Sequence, residues 1–282
     1  MIFLITAILC SASMALALKY FGSQSGNRYG IILGNYITCV LIAFFAVPEK
    51  RMLLSLSRTT VVCGLICGAL FVAGLVTIQL SIPVNGTTLS AAFARLGLVV
   101  SLAASIALFG ERPGAFQIAG IVLVLAALVL INSGKEKLNT DIASPGLLLL
   151  TMLAGGLADT MAKIFERVGS GEEDTAYFFV LFCTALVITS GLAYSEYRRS
   201  GKKLVLREML AGAAVGVPNY FSSYLLLQAL VSLPAFFVYP VFSTGTILVV
   251  LFCSALLFKE RPGSRQLAGI GVILAALALL NL

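Results

Sequence analysis

The stretch Leu108-Phe109-Gly110-Glu111-Arg112-Pro113-Gly114 returns 149 residues later as Leu257-Phe258-Lys259-Glu260-Arg261-Pro262-Gly263. Each copy opens an apolar run, the first ending at Asn132 and the second at Asn281. Between 109–132 and 258–281, 15 of 24 positions are identical. Self-similarity at so long a period means that one structural unit is present twice. The register extends beyond the motif. Gln79 and Gln228 are also 149 apart, Gly64-x-x-x-Gly68 meets Gly212-x-x-x-Gly216 at 148, and Lys19 meets Lys163 at 144.

Composition states what kind of unit repeats. The 282 residues are 60% hydrophobic and 11% charged, with a mean hydropathy of +1.04. A soluble domain carries about 25% charged residues, so this chain cannot cover a surface facing water. Apolar runs of helix-spanning length recur throughout, and the alternating polarity of a membrane β-barrel is absent. The net charge of +7 sits in short loops between apolar runs, without a basic, aromatic-interleaved tract, so no nucleic-acid partner is expected. Cys10, Cys39, Cys63, Cys67, Cys183 and Cys253 all lie inside apolar runs, and the chain has no histidine. They are expected to be small packing residues, with no metal or cofactor implied. The first 18 residues, with Ala15-Leu16-Ala17, have the look of a signal peptide but lack a basic start. The repeat needs them as a first helix, so a retained helix is expected.

Charge-free runs place the helices. Helices are expected over about 2–20, 29–48, 60–81, 86–109, and from Pro113 to Asn132, then over about 145–166, 175–195, 208–231, 234–258 and 263 to the end. The run 59–94 would be about 54 Å long as one helix against a bilayer core of about 30 Å, so it must break, at Pro83-Val84-Asn85-Gly86. The run 209–258 breaks at Ser232-Leu233-Pro234 for the same reason. The expectation is an all-α integral membrane protein with ten transmembrane helices, made of a first unit over 1–133, a linker over 134–144 and a second unit over 145–282. Five is odd, so the second unit enters from the opposite side and the two form an inverted repeat. Apart from Lys19, Arg95 and Lys163, the odd-numbered loops carry 11 basic residues and the even-numbered loops five. That bias would put the odd loops in the cytoplasm.

Two five-helix units, each closing with a Leu-Phe-x-Glu-Arg turn and an apolar helix, resemble the drug/metabolite transporter superfamily, EamA type. Lys19 and Lys163 near the end of the first helix of each unit fit the resemblance, as does Pro240 in Tyr239-Pro240-Val241-Phe242. The first unit departs there, with Ala91 at the matching position. The resemblance covers the whole chain. It implies a carrier in the inner (plasma) membrane of a bacterium, with both termini cytoplasmic, which is the opposite of the charge bias.

Ionisable groups at membrane depth cost several kcal/mol unless paired or hydrated, so they are the best functional pointers. Arg95 lies about ten residues into the fourth helix, and its counterpart in the second unit is Thr244, which breaks the symmetry. It is read as an anchor for a carboxylate or phosphate, against the alternative of a structural arginine capping carbonyls near Asn85-Gly86. Asp159 is the only acid well inside an expected helix, with Lys163 and Glu166 on the same face at i+4 and i+7. It either forms a self-neutralising pair with Lys163 or meets the cation of a solute, and any proton coupling would rest on it. Glu111 and Glu260 are read as structural, each complementing the dipole of the helix it precedes and pairing with the adjacent arginine. Asn219, Tyr220, Ser223, Tyr224, Gln228, Tyr239, Ser243 and Thr244 supply a polar and aromatic set in helices eight and nine, with Tyr220, Tyr224 and Gln228 on one face. Gln79 and Thr77 in helix three, and Asn35, Tyr36 and Thr38 in helix two, are weaker members. Such residues also glue helices together in lipid.

One fixed cation, one acid and an aromatic wall suit an amino-acid-like or amphipathic zwitterion as the small-molecule substrate. Phosphorylated, nucleotide-linked and cationic drug-like solutes are the alternatives. No G-x-x-x-x-G-K-[ST] loop is present, so a secondary carrier working by alternating access is expected, with export as one direction. A membrane enzyme would need a nucleophile–base pair or a metal set, which this chain does not offer; a non-transporting membrane partner protein is the remaining class. Membrane lipid is the other expected partner, and monomer and homodimer are both open.

Overall fold

The computed structural model describes residues 1–21, 26–132, 143–257, 259 and 263–281. Most of the linker, 134–142, and Glu260 lie outside the described residues. The described chain forms ten α-helices: α1 Ile2–Phe21, α2 Gly30–Ala46, α3 Arg58–Asn85, α4 Thr87–Phe109, α5 Ala115–Asn132, α6 Pro145–Val168, α7 Asp174–Ser200, α8 Leu206–Ser232, α9 Ala235–Leu257 and α10 Ser264–Leu280. No β-strand occurs among the described residues. Seven of the helices are long and apolar enough to cross a membrane, and α2, α5 and α10 are shorter apolar helices. At 17 or 18 residues, each of these three is about 26 Å long. Only 22% to 44% of each long apolar window is buried. The rest faces outward, which hydrocarbon tolerates and water does not.

The element boundaries correct the sequence reading in three places. Pro83 does not end α3, which runs through it to Asn85. The proline forgoes a single i→i−4 bond, and the helix continues two residues past it. The break falls at Gly86, whose φ of +82° is open to glycine at little cost. Asn85 fixes the break: its Nδ2 donates to Ser144 O at 3.1 Å, and Ser144 N donates to its Oδ1 at 2.9 Å. Second, α5 starts at Ala115 rather than at Pro113. Gly114 N donates to Gln117 Oε1 at 2.8 Å, and Gly263 N donates to Gln266 Oε1 at 3.0 Å before α10. The glutamine shared by both copies of the repeat is therefore a helix cap. Third, α7 continues past 195 to Ser200, because its last turn is polar but still helical.

Two compact units form. One comprises Met1–Val72 with Ile164–Ala229, and the other Ala73–Lys163 with Leu230–Leu282. Each takes helices from both halves of the sequence, and the boundary falls inside α3, α6 and α8.

In the first unit α2 packs along α7. The two glycine pairs of the repeat are the points of closest approach. A Cβ on Gly64 would lie 2.8 Å from Val180 Cβ, and Gly68 meets Leu181, so α3 crosses α7 on backbone. A Cβ on Gly216 would lie 2.6 Å from Asn35 O, and Gly212 meets Ile31, so α8 crosses α2 in the same way. Tyr36, Tyr177, Phe182 and Tyr220 fill the interior.

In the second unit α5 packs along α10 and α4 against α9. Gly120 faces Ala276 and Leu280, and Gly269 faces Ile131. The backbones of α4 and α6 meet where a Cβ on Gly97 would lie 3.0 Å from Gly156 N.

Candidate functional site

The glycine contact between α4 and α6 positions the charged centre of the second unit. Arg95 lies two residues before Gly97, and Asp159 three residues after Gly156. Close backbones let the two side chains interact electrostatically across the helices. Arg95 is exposed and Asp159 half-buried to a water-sized probe. Tyr239 of α9 joins them, its hydroxyl donating to Asp159 O at 2.6 Å.

Lys163, one turn further along α6, takes a different role from an intrahelical partner of Asp159. It is 3% exposed. Its Nζ lies 3.8 Å from Glu111 Oε1 and donates to Leu230 O at 3.2 Å. Glu111 in turn accepts from Ala235 N and Phe236 N, each at 3.0 Å. The carboxylate therefore caps α9, not the helix that follows it, and its cation comes from α6 rather than from Arg112. Orphan N–H groups at a helix start favour an anion there. This corrects the sequence reading of Glu111, because a turn of sequence does not reveal which distant helix begins beside it. Nothing in the charge spacing pointed to this staple.

Thr244, the counterpart of Arg95, is fully buried and donates to Pro240 O at 2.7 Å within its own helix. Ser243 is also buried. Gln79 is half-buried, and its Oε1 has no hydrogen-bond partner among the described residues. Thr77 donates to Ala73 O, inside α3.

The remaining predicted residues belong to the first unit and form an aromatic cluster. Tyr220 and Tyr224 stack with centroids 6.2 Å apart and ring planes 4° apart. Phe178 lies edge-on to both, at 6.1 and 6.0 Å. Phe182 is 6.0 Å from Tyr220 and 6.3 Å from Tyr36. The sequence reading found the α8 half of this cluster and missed the α7 half, because phenylalanines inside an apolar run carry no local signal. Beside the rings, Asn219 Nδ2 donates to Asn35 Oδ1 at 3.1 Å, and Cys39 Sγ donates to Gly216 O at 3.3 Å. Thr38 donates to Gly34 O along its own helix. Gln228 turns away from the stacked rings, with Nε2 donating to Asp174 Oδ2 at 2.7 Å. Ser223 is half-buried.

Comparison with known proteins places this geometry. A solved crystal structure superposes with a TM-score of 0.73 over 99% of this chain and 94% of its own, at 17% identity, which is likeness of fold. An uncharacterized protein of Haemophilus influenzae is 24% identical over 285 residues, covering 97% of this chain and 95% of its own. The second half, 145–282, matches the EamA-like transporter family. With apolar helices recurring along the described chain, that match supports an integral membrane protein whose residues 145–282 are similar to the EamA-like transporter family.

Proposed function

We propose that the protein is a secondary carrier moving a small zwitterionic or amphipathic metabolite, amino-acid-like in its charges, across the cytoplasmic membrane by alternating access. The observation that carries this reading is the Arg95–Asp159 pair, two opposite charges in mid-helix on α4 and α6 that interact and are both reachable by a water-sized probe. A solute with both charges meets a partner for each: its carboxylate at the guanidinium, its ammonium at Asp159. A phosphorylated or nucleotide-linked solute fits less well, because the Asp159 carboxylate repels the extra negative charge. A purely cationic solute would leave Arg95 facing it.

The inverted repeat is supported by reciprocal packing. α3 crosses α7 on one glycine pair, and α8 crosses α2 on the equivalent pair. α4 with α9 and α5 with α10 also join equivalent helices of the two halves. Ten spans in two inverted units of five, over 1–133 and 145–282, account for all of these pairings. In such an assembly α2, α5 and α10 span the bilayer at the short end of the permitted range. Asp159 is the group through which a proton would be coupled to the solute.

The test is uptake of labelled amino acids into proteoliposomes by wild type, Arg95→Ala and Asp159→Asn. Both variants are expected to insert and melt like wild type while losing uptake by at least about 10-fold, since a hydrogen bond to a charged group is worth about 1.5–3 kcal/mol. Wild-type uptake by Arg95→Ala would refute the anchor.

A further inference from the structure

We propose that the end of the first unit formed by the C-terminus of α7 and the start of α8 is a binding site for an anionic phospholipid. Three independent features meet there. A groove of about 360 Å³ is lined by Leu33, Ala193, Tyr194, Tyr197, Lys203 and Leu204. Its walls are apolar apart from the lysine, the tyrosine hydroxyls and Ser190 of α7, which also lines it. That volume and character suit part of an acyl chain.

The charge beside the groove is strongly positive. Arg198, Arg199, Lys202, Lys203 and Arg207 fall within ten residues. The two acids nearby in sequence are already engaged: Glu196 lies 3.6 Å from Arg28 Nε, and Glu208 Oε1 accepts from Gly26 N at 2.9 Å. The cations are thus left in excess over local counter-charge. Basic clusters at a helix end attract anionic headgroups by about 1 kcal/mol per residue.

The aromatic residues set the depth. Tyr194 and Tyr197 are 61% and 44% exposed, where tyrosine is favoured at the membrane–water interface. Arg198 Nη1 donates to Tyr194 OH at 3.3 Å, which fixes a guanidinium at the same level as that ring. A phosphate held by Lys203 and Arg198 or Arg199 would leave its glycerol beside the tyrosines and its chain along Leu33 and Ala193. A second groove of about 730 Å³, lined by Tyr20, Phe21, Leu206, Arg207, Leu210 and Ala211, adjoins the same basic segment and repeats the combination of aromatic wall and cation. Zwitterionic lipids share the chain but not the net charge, so the site selects by headgroup.

The test is native mass spectrometry of the full chain in detergent, titrated with phosphatidylglycerol or phosphatidylcholine of equal chain length. Wild type is expected to bind phosphatidylglycerol at least about tenfold more tightly. Lys203→Ala should weaken phosphatidylglycerol binding about fivefold and leave phosphatidylcholine unchanged. Ser190→Trp, which fills the groove and keeps every cation, should weaken both lipids. Both positions are exposed, so melting temperature is expected to stay at the wild-type value. Equal affinity for the two lipids overturns the proposal. So does displacement of phosphatidylglycerol by equimolar inorganic phosphate, which would make this a simple anion site. Because no transport is measured, the result stands apart from the outcome of the uptake assay.

Discussion

Replacing Glu111 is the sharpest test of how the second unit holds together. The carboxylate is 9% exposed and receives two N–H bonds of 3.0 Å from the start of α9. It also faces Lys163 Nζ at 3.8 Å, itself 3% exposed. Hydrogen bonds to a charged group contribute about 1.5–3 kcal/mol each, whereas interhelical bonds in a membrane average about 0.6 kcal/mol. The two N–H bonds are therefore worth about 1–6 kcal/mol together. Deleting one member of a buried ion pair costs about 3–5 kcal/mol, mostly from the charge left behind. Glu111→Ala is expected to lose about 3–5 kcal/mol. Glu111→Gln, which keeps one acceptor but strands the same cation, is expected to lose about 3 kcal/mol. Lys163→Met added to Glu111→Gln should restore part of that loss, because the stranded cation goes with it. The chain has no tryptophan, so unfolding in mixed micelles is followed by far-UV circular dichroism. Wild-type stability in Glu111→Ala, within about 0.5 kcal/mol, or strict additivity of the double variant, would refute the staple.

Glycine substitutions should divide by contact. Gly212→Ala places a methyl against Ile31 backbone and is expected to lower the melting temperature by an overpacking cost of about 1–3 kcal/mol. Gly191→Ala meets nothing within 4 Å inside α7 and is expected to raise stability by about 0.5–1 kcal/mol; the same melting assay reads both signs. Tyr220→Phe is expected to be neutral within about 0.5 kcal/mol, because its buried hydroxyl has no hydrogen-bond partner among the described residues. Tyr220→Ala, which removes the ring stacked on Tyr224, should lose about 3–5 kcal/mol; equal effects of the two would show that the ring does not hold the cluster. Asn219→Leu removes the donor to Asn35 Oδ1 and is expected to lose about 1–3 kcal/mol, read as a shifted unfolding midpoint.

The helices were legible because hydrocarbon imposes one rule on every residue of a span, so an uninterrupted apolar run is enough to reveal each one. Breaks were less legible. The expected break, Pro83-Val84-Asn85-Gly86, holds the turn at its last residue, Gly86, whose positive φ glycine adopts at little cost, while α3 runs on from the expected end near 81 to Asn85. The charged residues were found for the same reason as the helices: a charge such as Arg95 or Asp159 stands out in an apolar run. Their partners were not, since Lys163 has an acid at i−4 on its own helix and yet meets Glu111, 52 positions away in the chain.

The sequence by itself determined that this is a helical membrane protein, how many helices the described chain forms and that one unit occurs twice. Each of these follows from local hydropathy or from self-comparison along the chain. Tertiary structure alone decided which helices cross and what each polar group meets. Glycine pairs bring backbones together only when a partner helix is present, and a hydrogen bond or ion pair depends on distance in space. That is why Glu111 reads as the start of α5 in the sequence and acts as the cap of α9 in the fold.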